Sequence, residues 1–520
     1  MTMMSPKSRT EPGRQVRSHS GQPSRRMRCV LVPALLSSVV LAGCQVTPNA
    51  LSSAEVTVYA EDKLARVTAA QEPIEGKVTL YEAMARALKY NLDYRVETMS
   101  AILANRRLRA AGAATLPQLV ANGGWAARDN SAASYSQNLF SGIATTDPSF
   151  SREKSNFAGD VAFSWHILDF GLSYVRAKQA ADEALIAREL RRKTINRVME
   201  DVRTAYWRAV SADRLLAGFQ RLRARTERAL GQSRRLLKRG DTSPVAALTF
   251  QRELVGIKRQ IHRLERELQT SKMQLAALMN VSPNSTFTLH LPKRRLTDLT
   301  IDVTGTDMVR LALEKRPELR EAAYRERINE KEAQAALLEV LPGASLYGGL
   351  NLDSNDFLLN ANWISYGAKV GWNLMKVFTY PTRKSVVEAR SDLLDRKALA
   401  TTMAVMTQVY VARARYTYLH RSASTAAEYY RVQARLKKQV QASVRAHVAS
   451  EQTLIREEMN TLVAAVQYDL AYADLQNAFA AIYAAVGVDP FEGVVDTSKS
   501  VSDLARSLRE TWRSRGDLHV

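Results

Sequence analysis

The chain is poor in several things that would point to a familiar class. It has 520 residues and only 2 cysteines, which excludes a disulfide-stapled scaffold and cysteine-rich zinc modules. Its 15 prolines and 23 glycines are too few for a collagenous or low-complexity chain. No apolar run reaches the ~18–20 residues of a membrane-spanning helix, so a polytopic helical membrane protein is excluded. Catalytic signatures are missing too: there is no Gly-x-x-x-x-Gly-Lys, no nucleophile elbow and no His-Glu-x-x-His. The 7 histidines are scattered, and His262 with Glu265 reads as a helix-surface pair. No enzyme, cofactor or metal site is expected. Acid is scarce relative to base: 74 Lys and Arg oppose 52 Asp and Glu, a net charge of +22. Such a surplus first suggests nucleic acid or an anionic membrane surface.

What is present begins with an address. Residues 1–28 carry seven basic residues and one acid, Glu11. Val30 to Leu41 follows as a signal-peptide apolar core, too short to span a bilayer. It ends in Leu41-Ala42-Gly43-Cys44, which resembles the bacterial lipoprotein box. That resemblance implies lipidation of Cys44, loss of residues 1–43 and, because Gln45 follows, an outer-membrane destination. Cys29 leaves with the leader, so no intrachain disulfide remains. Met27 is a plausible true start. An exported protein rarely meets the genome, so no nucleic-acid partner is expected.

The rest of the chain is a duplication. Ala87-Leu88-Lys89-Tyr90-Asn91 recurs as Ala312-Leu313-Glu314-Lys315-Arg316, and Leu116-Pro117 as Leu341-Pro342, at an offset of 225. Phe163-Ser164-Trp165-His166-Ile167 matches Val370-Gly371-Trp372-Asn373-Leu374 at an offset of 207. The first copy therefore carries eighteen more residues, placed around Ser131 to Ser155, a Ser/Asn/Thr-rich exposed loop. We divide the chain into a leader (1–43), a linker (44–77), a first repeat (78–290), a second repeat (291–490) and a tail (491–520). The linker and tail lack strong periodicity and are expected to be peripheral or disordered.

Each copy shows one order of elements. A helix stops at Leu-Pro. Two alternating segments follow around a loop, and then two very long helices joined by a turn. Val161, Phe163, Trp165 and Ile167 oppose Asp160, Ala162, Ser164 and His166; Ala368, Val370, Trp372 and Leu374 oppose Lys369, Gly371 and Asn373. This period of two marks strands with one apolar face, and Gln118–Ala127 and Ser345–Leu352 are their partners. Four strands of about ten residues suit a tilted bilayer crossing in a β-barrel, with Trp125, Trp165, Trp363, Trp372 and Tyr347 as an interfacial girdle. A soluble hairpin with core tryptophans is the competing reading. Four strands cannot close a barrel, and open edges are not tolerated in lipid, so several chains must share one. The long helices, Ser173–Lys238 and Thr382–Val444, would each extend roughly 90–100 Å and return as Pro244–Met279 and Glu451–Val486.

These residues resemble the TolC/OprM family of outer-membrane export ducts over about residues 78–490, as a lipoprotein member. The motifs are the duplicated Ala-Leu segment, the paired Leu-Pro, the Trp-x-Leu/Ile strand ends and Ile167-Leu168-Asp169-Phe170-Gly171. The second copy departs there, with Leu374-Met375-Lys376-Val377-Phe378 and Tyr380-Pro381. The resemblance implies a mostly α fold with a small β part. Duplicated helical hairpins form an α-helical barrel, and four strands per chain contribute to a twelve-stranded barrel in a homotrimer. It also implies a passive, non-enzymatic duct for efflux or type I secretion. Its partners would be a periplasmic adaptor, an inner-membrane pump (RND or ABC type) and outer-membrane lipid. A structural periplasmic coiled-coil lipoprotein without a pore is the alternative.

The resemblance further places adaptor contacts at the hairpin turns: Arg239, Gly240, Asp241 and Thr242 in one copy, Ala446, His447 and Val448 in the other. Gly240 suits a helix C-terminus, Thr242 or Ser243 can cap the next helix, and Pro244 fits its first turn. The second turn lacks the glycine, and Ser450 with Glu451 is the poorer cap. Near these turns Arg221, Arg223, Arg225, Arg228, Arg234, Arg235, Lys238 and Arg239 face one acid, Glu227. Arg431, Arg435, Lys437, Lys438 and Arg445 have none nearby. Lys437 or Lys438 falls where family members place aspartates at the periplasmic entrance. A basic entrance admitting anionic cargo is one reading; a solvated outer face is the other.

Overall fold

The computed structural model describes residues 48–69, 71–282, 284–294, 296, 304–489 and 495–514. The leader, Met27 and Cys44 lie outside these residues. The chain divides into two units, residues 1–67 and 68–520. In the first, the described part is a helix, α1 (Ser53–Val67), with every side chain exposed. A capping box starts it: the Glu55 carboxylate accepts from Ser52 N–H at 2.8 Å, and the Ser52 hydroxyl accepts from Glu55 N–H at 3.3 Å. Part of the expected linker is thus helical.

In the second unit, β1 (Lys77–Val78) leads into α2 (Leu80–Tyr90), α3 (Leu92–Ala113) and β2 (Gln118–Ala127). The long loop holds a small hairpin, β3 (Ala133–Ser134) with β4 (Ser149–Phe150). Then come β5 (Ser155–His166), α4 (Ile167–Arg239), α5 (Pro244–Leu278) and β6 (Thr288–Leu289), which pairs in parallel with β1. The second copy supplies α6 (Gly305–Lys315), α7 (Pro317–Leu338), β7 (Gly343–Asp353), β8 (Asn362–Gly371), α8 (Met375–Arg445) and α9 (Glu451–Ala485). A last helix, α10 (Val501–Ser514), follows.

The duplication is visible in the caps. Thr79 caps α2 by accepting from Glu82 N–H, and Thr304 caps α6 by accepting from Asp307 N–H. Asn91 starts α3 by accepting from Tyr94 N–H, whereas the second copy uses Pro317 at the first helical position. The long helices begin earlier than expected because the strands run almost directly into them. In α8 this carries the helix through Pro381. The proline lies in the second turn and deprives one carbonyl, that of Val377, of its helical donor. At ~1.5 Å per residue, α4 and α8 extend roughly 110 Å.

The cores lie where the hairpins cross. Ile195 to Phe219 of α4 packs on α2, the end of α5, and α9, with Tyr206, Phe219, Met84 and Leu88 fully buried. Gly218 lets α9 approach: a Cβ there would stand 2.9 Å from Leu462 Cδ2. Two buried carboxylates join elements across the copies. Asp182 of α4 receives Arg327 of α7, and Asp469 of α9, 2 % exposed, receives both Arg214 of α4 and Arg294.

The expectation of a peripheral or disordered tail fails over residues 501–514. Val501, Leu504 and Leu508 of α10 pack into the same core as α2. The Glu72 carboxylate accepts from Val501 N–H at 3.0 Å, and Lys89 Nζ donates to the Lys499 carbonyl at 2.6 Å. Trp512 lies against Phe479 and Tyr483 and covers the buried Arg203 guanidinium at 4.2 Å. Burial pulls that guanidinium down to about 10, with the neighbouring Tyr81 acting in the opposite sense.

Candidate functional site

The four long strands form one antiparallel sheet in the order β2-β5-β7-β8. One end of every strand joins a helix and the other end joins a loop. Their lengths, 10 to 12 residues, suit a tilted bilayer crossing. β2 and β8 are edge strands whose outer sides are unpaired among the described residues.

The register shows which side chains share a face. Val161 faces Leu350, and Leu350 faces Ile364; Phe163 faces Gly348, and Gly348 faces Tyr366. This apolar face is solvent-exposed: Ile364 is 69 % exposed and Tyr366 84 %. On the opposite face lie Asn122, Asp160, Asn351, Ser365 and Lys369. An exposed apolar face backed by a polar one is the inverse of a soluble hairpin with core tryptophans. It is the arrangement of a barrel wall with lipid outside and water inside.

The expected girdle separates into two groups. Trp125, opposite Phe157, lies near the loop end of the apolar face, and Trp165 lies at the helix end of that face. Trp372 sits just past β8 at the same end, its indole N–H donating to the Val340 carbonyl at 2.9 Å. The eight residue steps from Phe157 to Trp165 span roughly 27 Å along the strand, or roughly 20 Å across a bilayer at the usual tilt. Trp363 and Tyr347 do not join them. Trp363 pairs with Asn351 and Tyr347 with Gly367, which places both on the polar face. The Asn362-Trp363-Ile364 run has apolar residues on both faces, so alternation alone could not assign Trp363.

At the far end of the helices the two turns differ in an unexpected way. Gly240 ends α4 at φ +79°, with the Asp241 N–H donating to the Leu236 carbonyl at 3.1 Å. At the offset of 207 its counterpart is His447, which holds the same left-handed backbone at φ +60° without being glycine. Arg239, Asp241, Ala446 and Val448 are exposed beside them, and Thr242 is half-buried. The caps reverse the expectation. Ser450 caps α9 by accepting from Thr453 N–H at 3.2 Å, whereas Ser243 makes no side-chain cap bond to α5, which relies on Pro244. Histidine in this region carries about 1 kcal/mol of strain. His447→Gly is therefore expected to slow hydrogen exchange of the Val448 amide, which donates to the Ser443 carbonyl, about fivefold.

The basic run of α4 is less bare than the sequence suggests. Arg225 pairs with Glu458 and Glu451 of α9, Arg223 with Glu265, and Lys258 with Glu227. The Glu458 hydrogen bond raises Arg225 further, and Arg456 and Gln452 lower Glu253 on α5. The pairs of Arg225 with Glu451 and Glu458, and of Glu253 with Gln452 and Arg456, tie the first hairpin to α9 close to the turns. Sequence reasoning missed them because the carboxylates lie some two hundred residues away. On α8, Arg431, Arg435, Lys438 and Arg445 are exposed at three-, four- and seven-residue steps, which places them along one side of the helix. Lys437 is half-buried beside them.

Comparisons with known proteins agree with this geometry. Residues 84–281 match the family described as outer membrane efflux protein. No curated protein matches the chain. Among solved structures, the Campylobacter jejuni CmeC outer membrane channel aligns with TM-score 0.64 at 14 % identity, covering 90 % of this chain and 99 % of that one. The outer-membrane channel OprN aligns with TM-score 0.61 at 16 % identity, covering 78 % and 89 %. The open-state Neisseria gonorrhoeae MtrE outer membrane channel aligns with TM-score 0.58 at 16 % identity, covering 79 % and 89 %. At these identities the structural likeness concerns the fold. The family match lies in the first repeat, and the fold of outer-membrane channels extends over most of the chain.

Proposed function

We propose that the chain is the passive outer-membrane duct of an efflux or type I secretion system, working as a homotrimer. The carrying observation is the four-stranded sheet with an exposed apolar face and two unpaired edges. In lipid those edges must be satisfied, and three copies joined β8 to β2 give a closed twelve-stranded barrel. α8 supports the same assembly: it buries little beyond Val387, Val405, Val409, Ala423 and Ala427, and leaves Leu399, Met403, Tyr410 and Tyr418 exposed for a neighbouring chain. The long hairpins continue the barrel through the periplasm. The turns at Arg239–Thr242 and Ala446–Val448 meet a periplasmic adaptor, which joins the duct to an inner-membrane pump of RND or ABC type. Cys44 carries the lipid anchor, and Trp125, Trp165 and Trp372 seat the barrel at the two interfaces.

Detergent extraction tests this reading. A trimer that dissociates on heating and conducts in planar bilayers is expected; a monomeric, non-conducting lipoprotein would leave the coiled-coil tether. Lys437 and Lys438 make the periplasmic entrance basic, so the duct should prefer anions. Lys437→Ala with Lys438→Ala should weaken that preference at least twofold. Cation selectivity untouched by the two substitutions would remove the basic entrance while leaving the duct.

A further inference from the structure

On the polar face of the sheet one register row crosses all four strands without a break. Asn122 faces Asp160, Asp160 faces Asn351, and Asn351 faces Trp363. The Asn122 amide donates to Asp160 at 3.0 Å, so the partner of this carboxylate is an amide and not a base. Asn351 is held in turn by donating to the Ser365 hydroxyl at 2.9 Å. Trp363 leaves 45 % of its surface open, two strands from the carboxylate, a separation of roughly 10 Å. A negative charge with no basic partner among the described residues, an open indole and two fixed amides within one row are more than a water-filled lumen needs.

We propose that this row is a binding site for planar organic cations in the wall of the duct, one per chain and three per trimer. The Trp363 ring stacks on the aromatic plane and attracts its charge. Asp160 neutralises the cation, and the two amides bond its polar edge. The proposal rests on the duct reading, which puts this face in the lumen. The site lies between the aromatic residues at the two ends of the strands, at mid-membrane depth. A cargo molecule would meet it after passing the helical tunnel.

Ethidium is a suitable probe, followed by fluorescence anisotropy with the detergent-purified trimer. Saturable binding is expected. Trp363→Ala and Asp160→Asn should each weaken it about tenfold, Trp363→Phe should largely retain it, and Trp125→Ala on the other face should leave it unchanged. A planar anion such as naphthalene disulfonate should not compete. Ethidium binding equal in the wild type, Trp363→Ala and Asp160→Asn trimers overturns the site, as does equal competition by the anion. A chain that forms no trimer overturns the duct reading itself, and with it the lumenal placement of the row.

Discussion

Asp469→Ala should lower the stability of the helical domain by about 3–5 kcal/mol, the usual cost of breaking a buried ion pair from one side. Asp469 sits on α9 at 2 % exposure, and one of its carboxylate oxygens receives both Arg214 from α4 and Arg294 from the segment after β6. Arg214 also donates to the Pro292 carbonyl at 2.7 Å, and Arg294 lies over the Tyr468 ring at 4.5 Å. Removing the carboxylate therefore strands two guanidinium groups near each other in a partly buried site, with side chains only 21 % and 16 % exposed. Asp469→Asn keeps the volume and an acceptor but loses the charge, and should fall between wild type and alanine. A double replacement, Asp469→Leu with Arg214→Met, removes charge from both sides and should recover part of the loss. Thermal unfolding of the detergent-solubilised protein, followed by intrinsic fluorescence, reads all three. An Asp469→Ala protein that melts within a degree or two of wild type would mean that Arg214 and Arg294 find solvent and that the pair joins nothing.

Gly487→Ala should be nearly as costly, about 2–4 kcal/mol, from left-handed strain and overpacking together. Gly487 ends α9 at φ +74°, and an added Cβ would stand 2.8 Å from both Arg316 N and the Lys315 carbonyl carbon. Those atoms are backbone at the α6–α7 junction, so no rotamer change relieves the contact. The junction is further fixed by Arg192, which donates to the Lys315 and Gly487 carbonyls at 3.0 and 3.2 Å. Position 280 is the control. Asn280 occupies the equivalent left-handed site in the first copy at φ +57°. Asn280→Gly should change stability by no more than about 1 kcal/mol. If Gly487→Ala melts like wild type, the close approach of α9 to the junction is not maintained in solution.

Much of this architecture was legible before any coordinates. Gln118–Ala127 was placed after Leu116-Pro117 as the partner of the alternating strand around Phe163, and it is β2 without adjustment. The helical hairpins were readable because long proline-free stretches recur at a constant offset, and the return helices begin at Pro244 and Glu451 as read. Information that depends on pairing was not readable. Trp363 belongs to the polar face because of what it pairs with, not because of its neighbours in sequence. The helix Val501–Ser514 presents three core residues, Val501, Leu504 and Leu508, in an otherwise polar stretch, and the helix that completes their burial lies some four hundred residues upstream. Asp469 is one acid on a largely apolar helix, and its importance comes from two arginines far away in sequence. The cap at Ser450 was underrated because residue type was weighed without the backbone that aims the hydroxyl.

The exchange of residues between the left-handed positions has a consequence for counting. One copy has glycine at the tip and asparagine at the base of its hairpin; the other has histidine at the tip and glycine at the base. Three chains arranged in a ring therefore present six tips of near-sixfold shape but threefold chemistry, alternating between a bare backbone and an imidazole. A partner that occupied every tip would have to tolerate both surfaces in two poses. One that required either surface would bind three times per ring, and the ratio of partner to duct would report which of the two tips it reads.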